Sequence, residues 1–216
     1  MKLHLGCWKR DIPGFTNVDL ADYPHIDYHR QVDDLSCFAD QSAELIYASH
    51  VLEYFADEDA PQVLREWHRV LQPGATLRLA VPDFEGLVKA YQKYHDLDLF
   101  KGTIYGLMDI RHTDGQRRLL HHKTIYDFKS LKRLLESAGF GNVRRYDWRL
   151  TIHKDYPDHS MAYVPSGDYE NGVLVSLNVE ADKVGEWQGV VNQMKTQVQQ
   201  FSRKVVNKMK REYRKF

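Results

Sequence analysis

The sequence predicts an α/β fold with a mostly parallel sheet covered by helices on both faces. Three observations lead to it. Short apolar, β-prone runs at residues 3–5, 45–49 and 76–81 alternate with stretches of helical periodicity. Proline, glycine and acidic residues separate the two kinds of segment, as turns and caps require. The first two predicted strands end at Gly6 and Asp19, and the carboxyl ends of the strands are where an open α/β sheet binds ligands.

Leu3-His4-Leu5 forms the first strand, and residues 15–20 form the second after a turn at Pro13-Gly14. The link between them is too short for a full crossover helix. Residues 26–32 supply a third strand and 45–49 a fourth. A helix opens at Asp57-Glu58-Asp59, whose charges suit its N-terminus, and stops at Pro73-Gly74. Strand 76–81 is followed by a helix over 84–94. Residues 96–123 lack periodicity and are crowded with His, Arg and Asp. Asp127 caps a helix running through Ala138, Gly139 ends it, and strands follow at 143–148 and 172–179. From Trp187 through Val191, Met194, Val198, Phe201, Val205, Met209 and Tyr213, apolar residues recur every three or four positions, which predicts a long C-terminal amphipathic helix. The expected division is a domain over 1–181, with 96–123 as an insertion, and a basic helix over 182–216.

The 216 residues are 43% hydrophobic, enough for a packed core. Two cysteines, Cys7 and Cys37, exclude a disulfide framework and show no metal-ligand spacing. The apolar run before Cys7 is too short for a signal-peptide core, and no stretch reaches membrane-span length, so a cytoplasmic protein is expected. The formal net charge is zero, yet residues 188–216 hold eight Lys or Arg against the single acid Glu212. The body is therefore acidic and the tail basic, which disfavours nucleic acid as a partner of the body. The tail suits packing on the domain, pairing with a second copy of the chain, or peripheral contact with an anionic membrane.

A glycine at the first turn lets backbone approach a ligand, and a carboxylate ending the adjacent strand can accept hydrogen bonds from two ribose hydroxyls. Gly6 and Asp19 fit these roles, but a turn glycine and a solvated strand end would look the same. The longer pattern decides. LHLGCWKRDIPGFTNVDL, DDLSCFADQSAELIYASHVLEYF and VLREWHRVLQPGATLRLAVPDFE resemble, in order, successive motifs of class I S-adenosylmethionine-dependent methyltransferases, over about residues 2–150. GVLVSLNVEA resembles that family's last strand. The nearest branch is often associated with glycan biosynthesis.

The resemblance implies a Rossmann-like methyltransferase fold with a seven-stranded type of sheet, and S-adenosylmethionine as cofactor. Gly6, Cys7 and Trp8 would lie against its methionine part, and Asp19 would hold the ribose. Asp34, with Asp33 as competitor, and the Leu35 amide would contact the adenine. Ser49 and His50 would lie beneath the transferred methyl group, with Glu53 one turn on. The family prefers glycine where this chain has Trp8, so Trp8 either lies over the cofactor, points outward or blocks the pocket. The rival for the sheet, a dinucleotide site, needs G-x-G-x-x-G opening a helix, which is absent.

Methyl transfer to a hydroxyl needs a base for its proton, worth about 10²–10⁴-fold. His50, Asp83 and His122 are the candidates, with His121 beside the last, and HK-x-x-YD from His122 also resembles the branch. His112, His121 and His122 with Asp109 or Asp114 lack zinc spacing, so no metal is expected. The expected activity is O-methylation of a saccharide or other small polar acceptor. The alternative is a catalytically inactive cofactor-binding or interaction module, with Trp8 as the lesion.

Overall fold

The computed structural model describes residues 1–111 and 117–184. Its strands are β1 (Lys2–Leu5), β2 (Thr16–Asp19), β3 (Tyr28–His29), β4 (Ala43–Ser49), β5 (Leu71–Pro82), β6 (Met108–Arg111), β7 (Arg117–Leu120), β8 (Phe140–Arg145), β9 (Tyr163–Val164), β10 (Val173–Leu174) and β11 (Ser176–Lys183). The helices are α1 (Ala60–Val70), α2 (Phe84–Tyr94), α3 (Lys101–Tyr105) and α4 (Phe128–Ser137). Seven strands form one sheet in the order β3-β2-β1-β4-β5-β11-β8. The first five are parallel, and β11 runs antiparallel to both β5 and β8, so the sheet is mixed. Strand order reverses between β1 and β4, which opens a crevice at their carboxyl ends.

Alternation along the strands makes two unlike faces. Leu3, Ile46, Leu77 and Ala181 pair laterally across β1, β4, β5 and β11, as do Leu5, Ala48, Leu79 and Val179. These two apolar rows are buried together with Val63, Leu64 and Trp67 of α1 and Leu131 and Leu135 of α4. Trp67 is wholly buried, and its Nε1–H donates to the Val32 carbonyl at 2.7 Å, fixing α1 to the loop after β3.

The other face is polar. Asn17, His4, Tyr47, Arg78 and Glu180 form one row across β2, β1, β4, β5 and β11. Among the described residues, no α-helix packs on this row with the core of α1 and α4. It is covered by the loop after β8, from which His153 stacks on Tyr47 with ring centroids 4.1 Å apart and Asp158 accepts the Tyr47 hydroxyl proton. Ile12 and Phe15 of the β1–β2 link pack against Tyr47 as well. Helices on both faces were expected, and the helices of the apolar layer cover one. The reason is the short link from β1 to β2, which leaves loops to seal that side. Burial drives the imidazoles of His4 and His153 down to about 4, so both are neutral at physiological pH.

Several elements differ from expectation in extent. The third strand shrinks to Tyr28–His29, because the chain turns between Gln31 and Asp34 and the Leu35 amide is held by the Glu66 carboxylate at 3.0 Å. Helix α1 ends at Val70, and Pro73-Gly74 lies within the irregular start of β5, beside a register shift between Ala43 and Leu45. Residues 172–179 divide between β10 and β11, which continues to Lys183, two residues past the expected domain boundary. The 96–123 segment is ordered where described, with α3 and an antiparallel β6–β7 hairpin. The predicted C-terminal helix lies outside the described residues, as do His112 and Asp114. Among the described residues no helix is long and apolar enough to cross a membrane.

Candidate active site

Two cavities open at the carboxyl ends of β1, β2 and β4. One, of about 190 Å³, is lined by Gly6, Asp19, Val32, Asp33, Val51 and Lys123. The second, of about 330 Å³, is lined by Cys7, Trp8, Arg10, Ser49, His122, Asp158 and His159. Gly6, His50, Tyr54 and Met108 line both, so the cavities meet at these residues.

Gly6 sits at φ +64, and a Cβ there would lie 2.4 Å from Val51 Cγ2. The position therefore demands glycine and leaves bare backbone where the cavities join. Asp19, 4% exposed, is pinned at both oxygens: Oδ2 accepts from the Trp8 amide at 2.7 Å and Oδ1 from the Ala21 amide at 2.8 Å. Each carboxylate oxygen has a second lone pair, so the group can still accept from a ligand. Trp8 takes φ +46, a conformation that favours glycine. Its ring packs with Cys7, Ala21 and Ile26, and the Arg10 guanidinium lies 5.2 Å from its centroid.

A 3₁₀ turn at Leu52–Tyr54 follows β4 and carries Glu53, which is wholly buried. The amides of Lys123 and Thr124 both donate to the Glu53 carbonyl, clipping the loop after β7 onto this turn. That clip brings His122 beside Glu53, with Nε2 3.6 Å from Oε1, while His50 Nδ1 stands 3.2 Å from the same oxygen. Gly106 makes room, since a Cβ there would lie 2.2 Å from His122 Nε2. The His159 ring centroid is 5.1 Å from that of His50. Burial pushes His50 well below the ordinary imidazole value, and the nearby rings of His159 and His122 and the Arg10 charge act in the same direction. His122 and His159 are lowered chiefly by burial. Burial also raises Glu53 well above the ordinary carboxyl range. The site thus presents uncharged imidazoles, able to take protons, beside a cleft with a pinned carboxylate.

No curated protein matches the sequence. Residues 16–79 match the family described as "Methyltransferase domain", a span that runs from β2 into β5. A solved S-adenosylmethionine-dependent methyltransferase from Methanosarcina mazei is similar with a TM-score of 0.51 at 19% identity, over 86% of this chain and 92% of that one. Another from Thermotoga maritima, described as a possible histamine N-methyltransferase, has a TM-score of 0.52 at 15% identity, over 84% and 81%. The fold is that of S-adenosylmethionine-dependent methyltransferases.

On this methyltransferase frame the predicted residues separate. Gly6, Cys7, Trp8, Asp19, Ser49, His50 and His122 line the two cavities. The remaining predicted residues lie elsewhere. Asp34 faces away, its carboxylate paired with Arg30 at 3.1 Å, and Asp33 lines the cavity instead. Leu35 is buried in the core with its amide taken by Glu66, so it has no donor for a ligand. Asp83 caps α2 by accepting from the Glu85 amide, with Arg145 at 3.5 Å, and is not in either cavity. His121 bonds the Gly106 carbonyl and likewise lines neither. Missed from sequence were His159, Arg10, Tyr54 and Met108. His159 comes from a loop whose sequence has no periodicity. Tyr54, by contrast, adjoins Glu53 in a motif already singled out.

Trp8 lines the His122 cavity and not the Asp19 cavity, so it does not fill the side where Asp19 waits. Trp8→Gly should therefore keep S-adenosylhomocysteine affinity within a few-fold while weakening binding in the second cavity. Calorimetric titration checks this, and a collapse of homocysteine-nucleoside binding would make Trp8 a cofactor contact.

Proposed function

We propose that this chain is an S-adenosylmethionine-dependent methyltransferase acting on a hydroxyl of a small polar acceptor, with saccharides the foremost class. The observation that carries this reading is the meeting of two unlike cavities at Gly6 and His50, one holding Asp19 and Asp33 and the other holding imidazoles. Bound S-adenosylmethionine supplies an electrophilic methyl carbon on a sulfonium.

The chain's own residues do the rest. Asp19 accepts hydrogen bonds from the ribose hydroxyls, already oriented by the Trp8 and Ala21 amides. Asp33 offers a carboxylate to the adenine amine from the same cavity. Gly6 would present bare backbone to the bound molecule where the two cavities join. In the acceptor cavity, the Trp8 indole supplies a flat apolar face of the kind a pyranose ring can cover, and Arg10 supplies polar donors beside it. His122 takes the hydroxyl proton. A neutral imidazole is required for that step, and burial keeps it neutral. Tyr54 and Met108 wall the junction and help exclude water.

The test is transfer of labelled methyl from S-adenosylmethionine to a panel of monosaccharides, uronic acids and nucleoside-diphosphate sugars. Label on an acceptor oxygen is the expected result. Label only on nitrogen or carbon nucleophiles would overturn the hydroxyl assignment while keeping methyl transfer.

A further inference from the structure

The hydrogen-bond chain around Glu53 fixes where protons sit. The Asn178 amide is oriented by Nδ2 donating to the Ser160 carbonyl at 2.9 Å, so its Oδ1 accepts from Ser176 Oγ at 3.0 Å. That bond uses the one hydroxyl proton of Ser176. Toward His50 Nε2, at 3.3 Å, Ser176 Oγ can therefore only accept, and Nε2 carries the proton. In the neutral ring, Nδ1 is then a bare lone pair, 3.2 Å from Glu53 Oε1 but not in hydrogen-bond geometry with it. His122 gives the same answer independently. Its Nδ1 lies 3.1 Å from the Thr103 carbonyl, which can only accept, so Nδ1 carries the proton and Nε2 is the lone pair, 3.6 Å from Glu53 Oε1.

Two unprotonated imidazole nitrogens thus lie near one carboxyl oxygen, and neither makes a hydrogen bond to it. No described side chain donates to either Glu53 oxygen, and the residue is wholly buried. A carboxylate there would meet lone pairs with its own charge. A carboxylic acid meets them with a proton. We infer that Glu53 is a protonated carboxylic acid beside His50 and His122, so that no carboxylate charge borders the site's base. At 3.6 Å from Glu53 Oε1, His122 Nε2 is left unoccupied. Under the proposed hydroxyl methylation, and resting on that reading, the acceptor O–H would break as its oxygen takes the methyl carbon, the C–S bond would break with its electron pair leaving on sulfur as the neutral thioether, and a new N–H would form on His122 Nε2. Glu53 keeps its own proton throughout. Its protonation in the resting protein does not depend on the reaction.

The sign of the pH dependence follows. An unfolded glutamate loses its proton near 4.5, whereas burial holds the folded Glu53 proton to higher pH. Between those values the folded state binds the extra proton, so this group makes the protein less stable as pH rises. Among the described residues, the titratable groups facing it are His50, His122, Tyr54 and Tyr126, none a permanent cation. Glu53→Gln replaces the acid by a neutral amide that still donates and has no such slope. Its folding equilibrium should gain on that of the native protein by about tenfold per pH unit through the window.

Two measurements on the full chain test this. Infrared spectra at pH 7 should contain a protonated-carboxyl C=O band that shifts with ¹³C-glutamate but not ¹³C-aspartate labelling. That band should vanish in Glu53→Gln. Thermal midpoints should separate in favour of Glu53→Gln as pH rises from 5 to 8. A missing band, or a variant less stable by the same amount at every pH, would overturn the inference by making Glu53 an ionised partner of imidazolium. The labelling experiment needs only the native protein, so it decides the matter even if the variant does not fold. Neither readout involves methyl transfer, so failure of the proposed activity would be seen separately.

Discussion

Asp19→Ala is expected to weaken S-adenosylhomocysteine binding by about a hundredfold or more. A hydrogen bond to a charged acceptor contributes about 1.5–3 kcal/mol, and Asp19 can offer one from each oxygen to a pair of ribose hydroxyls. About 1.4 kcal/mol is a factor of ten, so two such bonds reach that range. The carboxylate is 4% exposed and oriented before any ligand arrives, which reduces the ordering cost of binding. The substitution also removes the acceptor for the Trp8 and Ala21 amides, so some loss of stability is expected with it. Asp19→Asn retains one acceptor and separates the effects. Titration calorimetry beside thermal melts should show the alanine variant folded and nearly silent, with the asparagine variant between. Unchanged heats in a folded Asp19→Ala protein would remove Asp19 from the site.

The second large effect is expected at His122. His122→Asn should lower turnover by about 10²–10⁴, the usual contribution of a positioned base, while S-adenosylhomocysteine affinity stays within a few-fold. The separation follows from placement, because His122 lines the cavity of Trp8 and Arg10 but not that of Asp19. Single-turnover methyl transfer and calorimetry on one preparation read both quantities. Equal loss of binding and turnover would mean that His122 supports the fold of the site and does not take the proton.

What the sequence revealed and what it hid divide along the range of the signals. Helix α2 begins at Phe84 and α4 at Phe128 because Asp83 and Asp127 cap them, and capping is written within three residues. Gly6 and Asp19 were legible because strand ends and turns are local and their motif is ordered. Asp33 and Asp34 were not separable, since the turn after β3 decides which of two adjacent side chains faces the cavity. Asp83 looked like a base because it ends a strand, yet the helix cap and Arg145 occupy it. The polar face of the sheet was hidden for another reason. His4, Tyr47, Arg78 and Glu180 are far apart in the chain and meet only through strand register. His153 and His159 reach the sheet from a loop that has no repeating pattern to read.

A crystal grown with S-adenosylhomocysteine decides whether the Gly6–Asp19 crevice holds the adenosyl cofactor. The expected density has ribose hydroxyls on the Asp19 carboxylate, the adenine beside Asp33 and the sulfur end passing Gly6 toward the cavity of His50 and His122. Ligand bound elsewhere, or no ligand density at saturating concentration with the crevice open, would contradict it.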